Sequence, residues 1–386
     1  MRGFSAVKLT LLAVSVLSIM AGTVVAPVLP SIQEAFAGGP RVALLTRLVL
    51  TMPALFVVLC APLAGAASDR FGRRLLLLAA LALYAASGVS GYFADTLPGL
   101  LLGRALLGVA VAVTMTTCTA LIADYYQGVE RAQLMGLQSA VSTAGAVLCL
   151  ALGGYLAQAG WRVPFLLYLY PLLVLLLAAL FISEPARLAA GPKAAGDVAA
   201  PRLLPVLFAA ALLSNLAMYA VPMQIPFYLQ GEFAIGSFGA GLAIACGTLF
   251  ATLSSLLYGR LSGRWRYPGL YAASFVIMAA GFGLVAMATQ VWIVLCGLAL
   301  VGAAAGIQLP TINNWLMDIA SAGARGKVLG GLTTAIFLGQ FISPLLFTPL
   351  LHVVSYTGFF LILAAAMVST AVLLRTVFRY LERQQG

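Results

Sequence analysis

Charge is scarce in this sequence, and negative charge is scarcest. Only 8% of the 386 residues are charged, and ten are Asp or Glu. A soluble domain carries about 25% charged residues. Too few polar side chains remain to cover so large an apolar chain in water, so lipid must be its main solvent. Histidine occurs once, as His352, and no HExxH pair exists. A membrane enzyme would need clustered acids, histidines or metal ligands on facing helices, and these are lacking. The five cysteines, Cys60, Cys118, Cys149, Cys246 and Cys296, form no CxxC pair and lie inside apolar runs. Neither a disulfide framework nor a zinc site follows from them. No G-x-x-x-x-G-K-[ST] phosphate loop is present, since GARGKV at 323–328 has the wrong spacing and lacks the hydroxyl. That argues against a pump driven by nucleotide. No cofactor, metal or catalytic group is implied. The net charge of +11 does not mark a nucleic-acid binder. Such a protein clusters its cations on a polar face, and here they stand singly between apolar runs.

What is present is hydrophobic length. Residues of apolar type make up 63% of the chain, with mean hydropathy +1.07. A membrane-spanning helix needs about 20 mostly apolar residues. Runs of that kind cover 9–30, 42–64, 75–93, 98–122, 134–157, 163–183, 203–229, 239–260, 268–288, 291–316, 328–350 and 357–378. They are too long, and alternate too little, for barrel strands. Arg2 and Lys8 before the first run resemble a signal peptide, but its length, Pro27 and Pro30 favour a first span.

Twelve spans put both termini on one side. The termini and the loops on their side hold Arg2, Lys8, Arg70, Arg73, Arg74, Arg131, Arg187, Lys193, Arg202, Arg260, Arg264, Arg266, Arg325, Lys327, Arg375, Arg379 and Arg383. The opposite loops are assigned only Arg41, Arg47 and Arg162, and Arg104 falls within a span. Positive charge accumulates on the cytoplasmic side, so both termini are expected there. The stretch GAASDRFGRR at 65–74 then reads as a cytoplasmic loop whose cations anchor spans 2 and 3.

The longest polar break, 185–202, is rich in Ala, Pro and Gly and reads as a linker. It separates an N-terminal half, 1–184, from a C-terminal half, 203–386. An offset of 194 residues aligns Gly65 with Gly259, Ser68 with Ser262, Arg70 with Arg264 and Gly103 with Gly297. It also aligns Gly108 with Gly302, Asp124 with Asp318, Arg131 with Arg325, Gly136 with Gly330 and Gly145 with Gly339. Six spans per half give the halves the same orientation, a parallel repeat found in one large class of transporters.

Three motifs carry a family resemblance. In the first, Gly65, Asp69, Arg70, Gly72, Arg73 and Arg74 match Gly-x-x-x-Asp-Arg/Lys-x-Gly-Arg/Lys-Arg/Lys between spans 2 and 3. In the second, LLLGRALLG, Arg104 and Gly108 stand at an intramembrane Arg and its following Gly in span 4. In the third, GAVLCLALGG in span 5 keeps Gly145, Gly153 and Gly154, but has Cys149 and Leu150 where Gly-Pro is usual. With these, the chain resembles a major facilitator superfamily transporter of the drug:proton antiporter branch. The fold so implied is all-α and integral to the membrane, with twelve transmembrane helices in two parallel six-helix repeats.

The resemblance implies secondary active export by alternating access, coupled to proton entry, of a small polar, zwitterionic or amphiphilic molecule. Uptake or facilitated passage of a metabolite is the alternative. The expected partners are that solute, the proton and the lipid bilayer of a bacterial inner membrane, with the protein acting as a monomer. The resemblance also implies a cytoplasmic gate at Gly65, Asp69, Arg70, Gly72, Arg73 and Asp124. In it Arg73 would meet Asp124, and Asp69 the start of span 11. It implies a cavity lined by polar residues of spans 4, 5, 7, 10 and 11: Arg104, Gln138, Asn215, Tyr219, Gln224, Gln308, Asn313, Asn314 and Gln340. Arg104 lies six residues past Pro98, roughly 9 Å into the span at 1.5 Å per residue. It either snorkels outward or faces a wet cavity. No acid falls in the middle third of any span, so Asp124 and Glu34, at helix ends, are the carboxylates that could carry a proton.

Overall fold

The structure is a computed structural model that describes residues 2–39, 41–185, 198, 201–262, 264–321 and 324–385. The side chains of residues 2–5, Asp69, Val129, Ala132 and 379–385 lie outside that description. The described residues form twelve helices long and apolar enough to cross a membrane. Spans 1 to 6 are Ala6–Ala35, Val42–Ser68, Arg73–Tyr92, Leu97–Tyr125, Gln133–Ala159 and Val163–Phe181. Spans 7 to 12 are Leu203–Phe233, Ser237–Ser262, Tyr267–Ala286, Val291–Ile319, Arg325–Leu351 and Tyr356–Phe378. Most of the expected linker, 186–197 with 199 and 200, lies outside the described residues. Val198 forms a single antiparallel bridge with Ala320.

Two expectations about helix ends are corrected. The segment 65–74 is mostly not a loop, because the helix of span 2 runs from Val42 to Phe71 and only Gly72 interrupts it. No residue before Gly72 breaks helical geometry, and Arg70 in the last turn suits the negative end of the helix. Arg47, assigned to a loop, sits inside span 2 and is 6% exposed.

The chain divides into two compact units, Met1–Ala189 with Pro222–Leu242, and Ala190–Val221 with Ala243–Gly386. Span 7 passes from one unit to the other. Its helix ends at Met218 and restarts at Ala220, next to Pro222. Proline supplies no N–H and crowds the preceding turn, which explains a break there. Span 1 is broken in the same way. Helix Arg2–Thr23 gives way to a 3-10 turn at Ala26–Val28 that contains Pro27.

Close packing repeats at the offset seen in the sequence. In the first unit a Cβ at Gly108 would lie 2.6 Å from the Pro53 carbonyl oxygen, so spans 4 and 2 meet backbone to backbone. In the second unit Gly302 meets the Gly247 carbonyl, 194 residues beyond each partner. A Cβ at Gly103 would lie 3.2 Å from the Ser87 carbonyl oxygen, and one at Gly297 2.7 Å from that of Gly281. Small residues permit such approach where dispersion, not hydrophobicity, joins helices. Gly302→Leu should therefore cost about 3 kcal/mol or more. At Gly330, where a Cβ would meet nothing within 4 Å, Ala should be neutral or slightly stabilising. Thermal unfolding of the detergent-solubilised protein measures both.

Candidate functional site

The motif residues 65–74 anchor one end of the first unit. Gly72 has φ +94°, and a Cβ there would lie 3.1 Å from the Glu184 carboxylate. Both the left-handed backbone and the crowding call for glycine. The Glu184 carboxylate accepts from the Arg73 and Arg74 backbone N–H groups at 2.7 and 2.8 Å. An anion on the first N–H groups of a helix satisfies donors that have no helical partner and complements the helix dipole. Arg73 donates to the Asp124 carboxylate and, at 2.7 Å, to the Ala120 carbonyl. Arg74 donates to the Ala179 carbonyl at 2.9 Å. The ends of spans 3, 4 and 6 are thereby tied together. A Cβ at Gly65 would meet Thr116 only at ordinary van der Waals distance, 3.9 Å. The side chain of Asp69 lies outside the described residues.

The second unit builds the same joint from other chemistry. Tyr267, 194 residues after Arg73, donates its hydroxyl proton to the Asp318 carboxylate at 2.8 Å. Its ring stacks on Trp315, which packs against Phe378 with ring centres 4.7 Å apart. Phe378 stands 194 residues after Glu184. The carboxylate is common to both units, and where the first sets the Arg73 guanidinium against it, the second sets the Tyr267 hydroxyl.

Arg104 is 1% exposed. Its Nε donates to the Val49 carbonyl at 2.9 Å and its Nη1 to the Tyr168 hydroxyl at 2.8 Å. Its Nη2 donates to the Ala21 carbonyl, which also accepts from the Tyr168 hydroxyl at 2.9 Å. The break in span 1 explains this convergence. The Val25 amide bonds Gly22 at 3.2 Å instead of Ala21, four residues back. That leaves the Ala21 carbonyl without its helical donor, and Arg104 and Tyr168 supply two. Arg104 thus holds spans 1, 2 and 6 around the break in span 1. No sequence signal links Tyr168 to this role, since it lies 64 positions from Arg104.

The other expected cavity residues are distributed between the units. Gln138, half-buried, belongs to the first unit. Gln224 also belongs to the first unit, although Asn215 and Tyr219 of the same span lie in the second. The break at Tyr219 separates them. Gln224 is fully buried and accepts from Arg47. In the second unit the Ser214 hydroxyl donates to Gln308, which is 5% exposed. The Asn215 amide donates to the Ala211 carbonyl at 3.1 Å, and that of Asn314 to the Tyr258 hydroxyl at 3.2 Å. Asn313 and Gln340 are half-buried, and Glu34 is exposed at the end of span 1.

The model of the Major Facilitator Superfamily matches twice, over residues 11–239 and 207–385. The chain belongs to the major facilitator superfamily. Among superfamily relatives, a tetracycline resistance protein, class G, of Vibrio anguillarum is 31% identical over 84% of this chain and 85% of its own. A bacillibactin exporter of Bacillus subtilis is 23% identical over 91% of each. The structure of a D-xylose-proton symporter superposes with TM-score 0.78 at 17% identity, covering 96% of this chain and 97% of the other. The all-α superfamily fold and the resemblance to the drug-efflux branch therefore stand. The protein is an integral membrane transporter, not an enzyme.

The geometry ranks the residues around Ala21. Tyr168→Phe leaves that carbonyl one donor, takes the acceptor from Arg104 Nη1, and should cost about 1–2 kcal/mol. Arg104→Lys replaces a fork of donors by a point charge that cannot serve three acceptors on three spans. It should lower stability more than Tyr168→Phe does, by about 2 kcal/mol. Thermal unfolding of both purified variants checks the order.

Proposed function

We propose that the chain exports a small polar, zwitterionic or amphiphilic molecule by alternating access, in exchange for protons. The observation that carries this reading is the near full-length similarity to a relative named as an exporter, alongside others named for tetracycline resistance. Half 1–184 and half 203–386, joined through 185–202, are the moving bodies. Of the expected cavity residues, Gln138, Asn215, Tyr219, Asn313, Asn314 and Gln340 are the proposed partners of the solute; Arg104 and Gln224 are fully buried in bonds to other spans and line no open cavity, against the expectation for them.

Both termini are proposed to be cytoplasmic, in a bacterial inner membrane, on the strength of the cation bias. The joint built by Gly72, Arg73, Asp124 and Glu184 then faces the cytoplasm and keeps the gate segment in register. Asp124 and Glu34 are the proposed proton carriers. A proton on Asp124 cancels its attraction for Arg73, so the joint loosens when the proton binds. The exchange is a pure binding cycle, with no covalent step and no nucleotide.

Two measurements test the reading. In everted vesicles with an acidic interior, tetracyclines and catecholate chelators are offered as solutes. The expected result is solute accumulation that collapses when the pH gradient is dissipated, with Asp124→Asn at least about tenfold slower. Accumulation indifferent to the gradient would remove proton exchange. Accumulation only in right-side-out vesicles would reverse the direction. A cytoplasm-dependent fluorescent reporter fused after Gly386 should be active, and a dark one at normal expression would overturn the orientation.

A further inference from the structure

Arg47 binds three pieces of chain. Its Nε and Nη2 donate to the Gln224 side-chain oxygen at 3.4 and 3.2 Å. Its Nη1 donates to the Gln33 side-chain oxygen at 3.3 Å and to the Ala43 carbonyl at 3.1 Å. The guanidinium carbon lies 4.5 Å from the centre of the Phe227 ring. Gln33 belongs to the end of span 1, Arg47 to span 2, and Gln224 and Phe227 to the second piece of span 7.

Three features make this attachment releasable. The side-chain acceptors are amides, whereas carboxylate partners would bind a guanidinium about twice as strongly. The bonds to them lie at or beyond the long end of the usual 2.7–3.2 Å range. Gln224 is fully buried, yet its amide nitrogen has no hydrogen-bond partner among the described residues. Among them the site holds Gln224 by its oxygen, and opening to water would satisfy the nitrogen. The piece itself begins beside the break at Tyr219 and Pro222, where span 7 leaves one compact unit for the other.

We propose that Arg47 is a clasp that fastens the second piece of span 7 to spans 1 and 2 on the outward side, and that it opens once in each transport cycle. The proposal rests on the alternating-access reading above. It adds a moving contact at the end of the unit opposite the 65–74 joint.

The test uses a full-length chain with its five native cysteines replaced and Ile225, itself 0% exposed, changed to Cys. A membrane-impermeant maleimide then labels intact cells. Labelling should be slow in the parent and about tenfold faster in Arg47→Gln, and about tenfold slower than the parent in Gln224→Glu, which gives the guanidinium a carboxylate partner. Gln224→Glu should also transport more slowly while its thermal stability is kept or raised, which a purely structural contact would not produce. Should Arg47→Gln fail to insert, Gln224→Glu alone decides. Equal labelling of Gln224→Glu and the parent, with normal transport, would overturn the clasp. Labelling needs no solute, so a chain that labels as expected but exports nothing would sink export and leave the clasp standing.

Discussion

Hydrocarbon offers no hydrogen bonds, and every backbone N–H and carbonyl inside this protein must find its partner in the protein. A continuous helix meets that demand by itself. A broken one does not, and span 1 is broken by Pro27. The Ala21 carbonyl is the group left over, and the fold brings Arg104 and Tyr168 to it from spans 4 and 6. The rest of the unit follows from this need. Tyr168 must reach inward past span 3, and Gly88 and Gly91 leave the space for it and for Phe165, since a side chain on either would strike those rings. A cation buried at 1% exposure is tolerable because its donors meet a hydroxyl and two carbonyls. The break in span 1 and the buried Arg104 explain one another.

The two units use one scaffold and fill it differently. Gly108 and Gly302 make the same backbone approach, as do Gly103 and Gly297. These contacts involve no charge, and they recur at the fixed offset. Where the units differ, they differ in polarity: Arg73 against Tyr267, Glu184 against Phe378, Arg104 against Leu298. Packing that both units need is repeated, and the two buried arginines among the described residues, Arg47 and Arg104, belong to the first.

Much of this was legible in the sequence. Twelve runs of sufficient length, their shared offset and the motif at 65–74 read through to the fold, because hydrocarbon thickness and helix geometry constrain length and spacing directly. Partners distant in the chain were not legible. Glu184 lies 111 positions from the Arg73 amide that it caps, and nothing near it marks the contact. Arg47 reads as a loop residue because cations usually end spans, and only the positions of Gln33 and Gln224 make it an interior one. Span 7 reads as one continuous span carrying Asn215, Tyr219 and Gln224. The proline that divides that span was visible, but the separation of its two pieces between units depends on packing that no local pattern encodes.

The two buried cations of the first unit illustrate how partners set mobility. Arg104 bonds chiefly to backbone carbonyls and to a tyrosine that shares one of them. A carbonyl stripped of such donors inside the membrane would be left unpaired, at a cost of about 1–3 kcal/mol. Its contacts are therefore permanent. Arg47 bonds mainly to amide side chains, which carry their own rotatable bonds and can turn toward water with no backbone group exposed. The same residue type thus serves as a strut when its acceptors are fixed and as a proposed clasp when they can turn away. The distinction lies in the acceptors, and neither arginine declares it in the sequence.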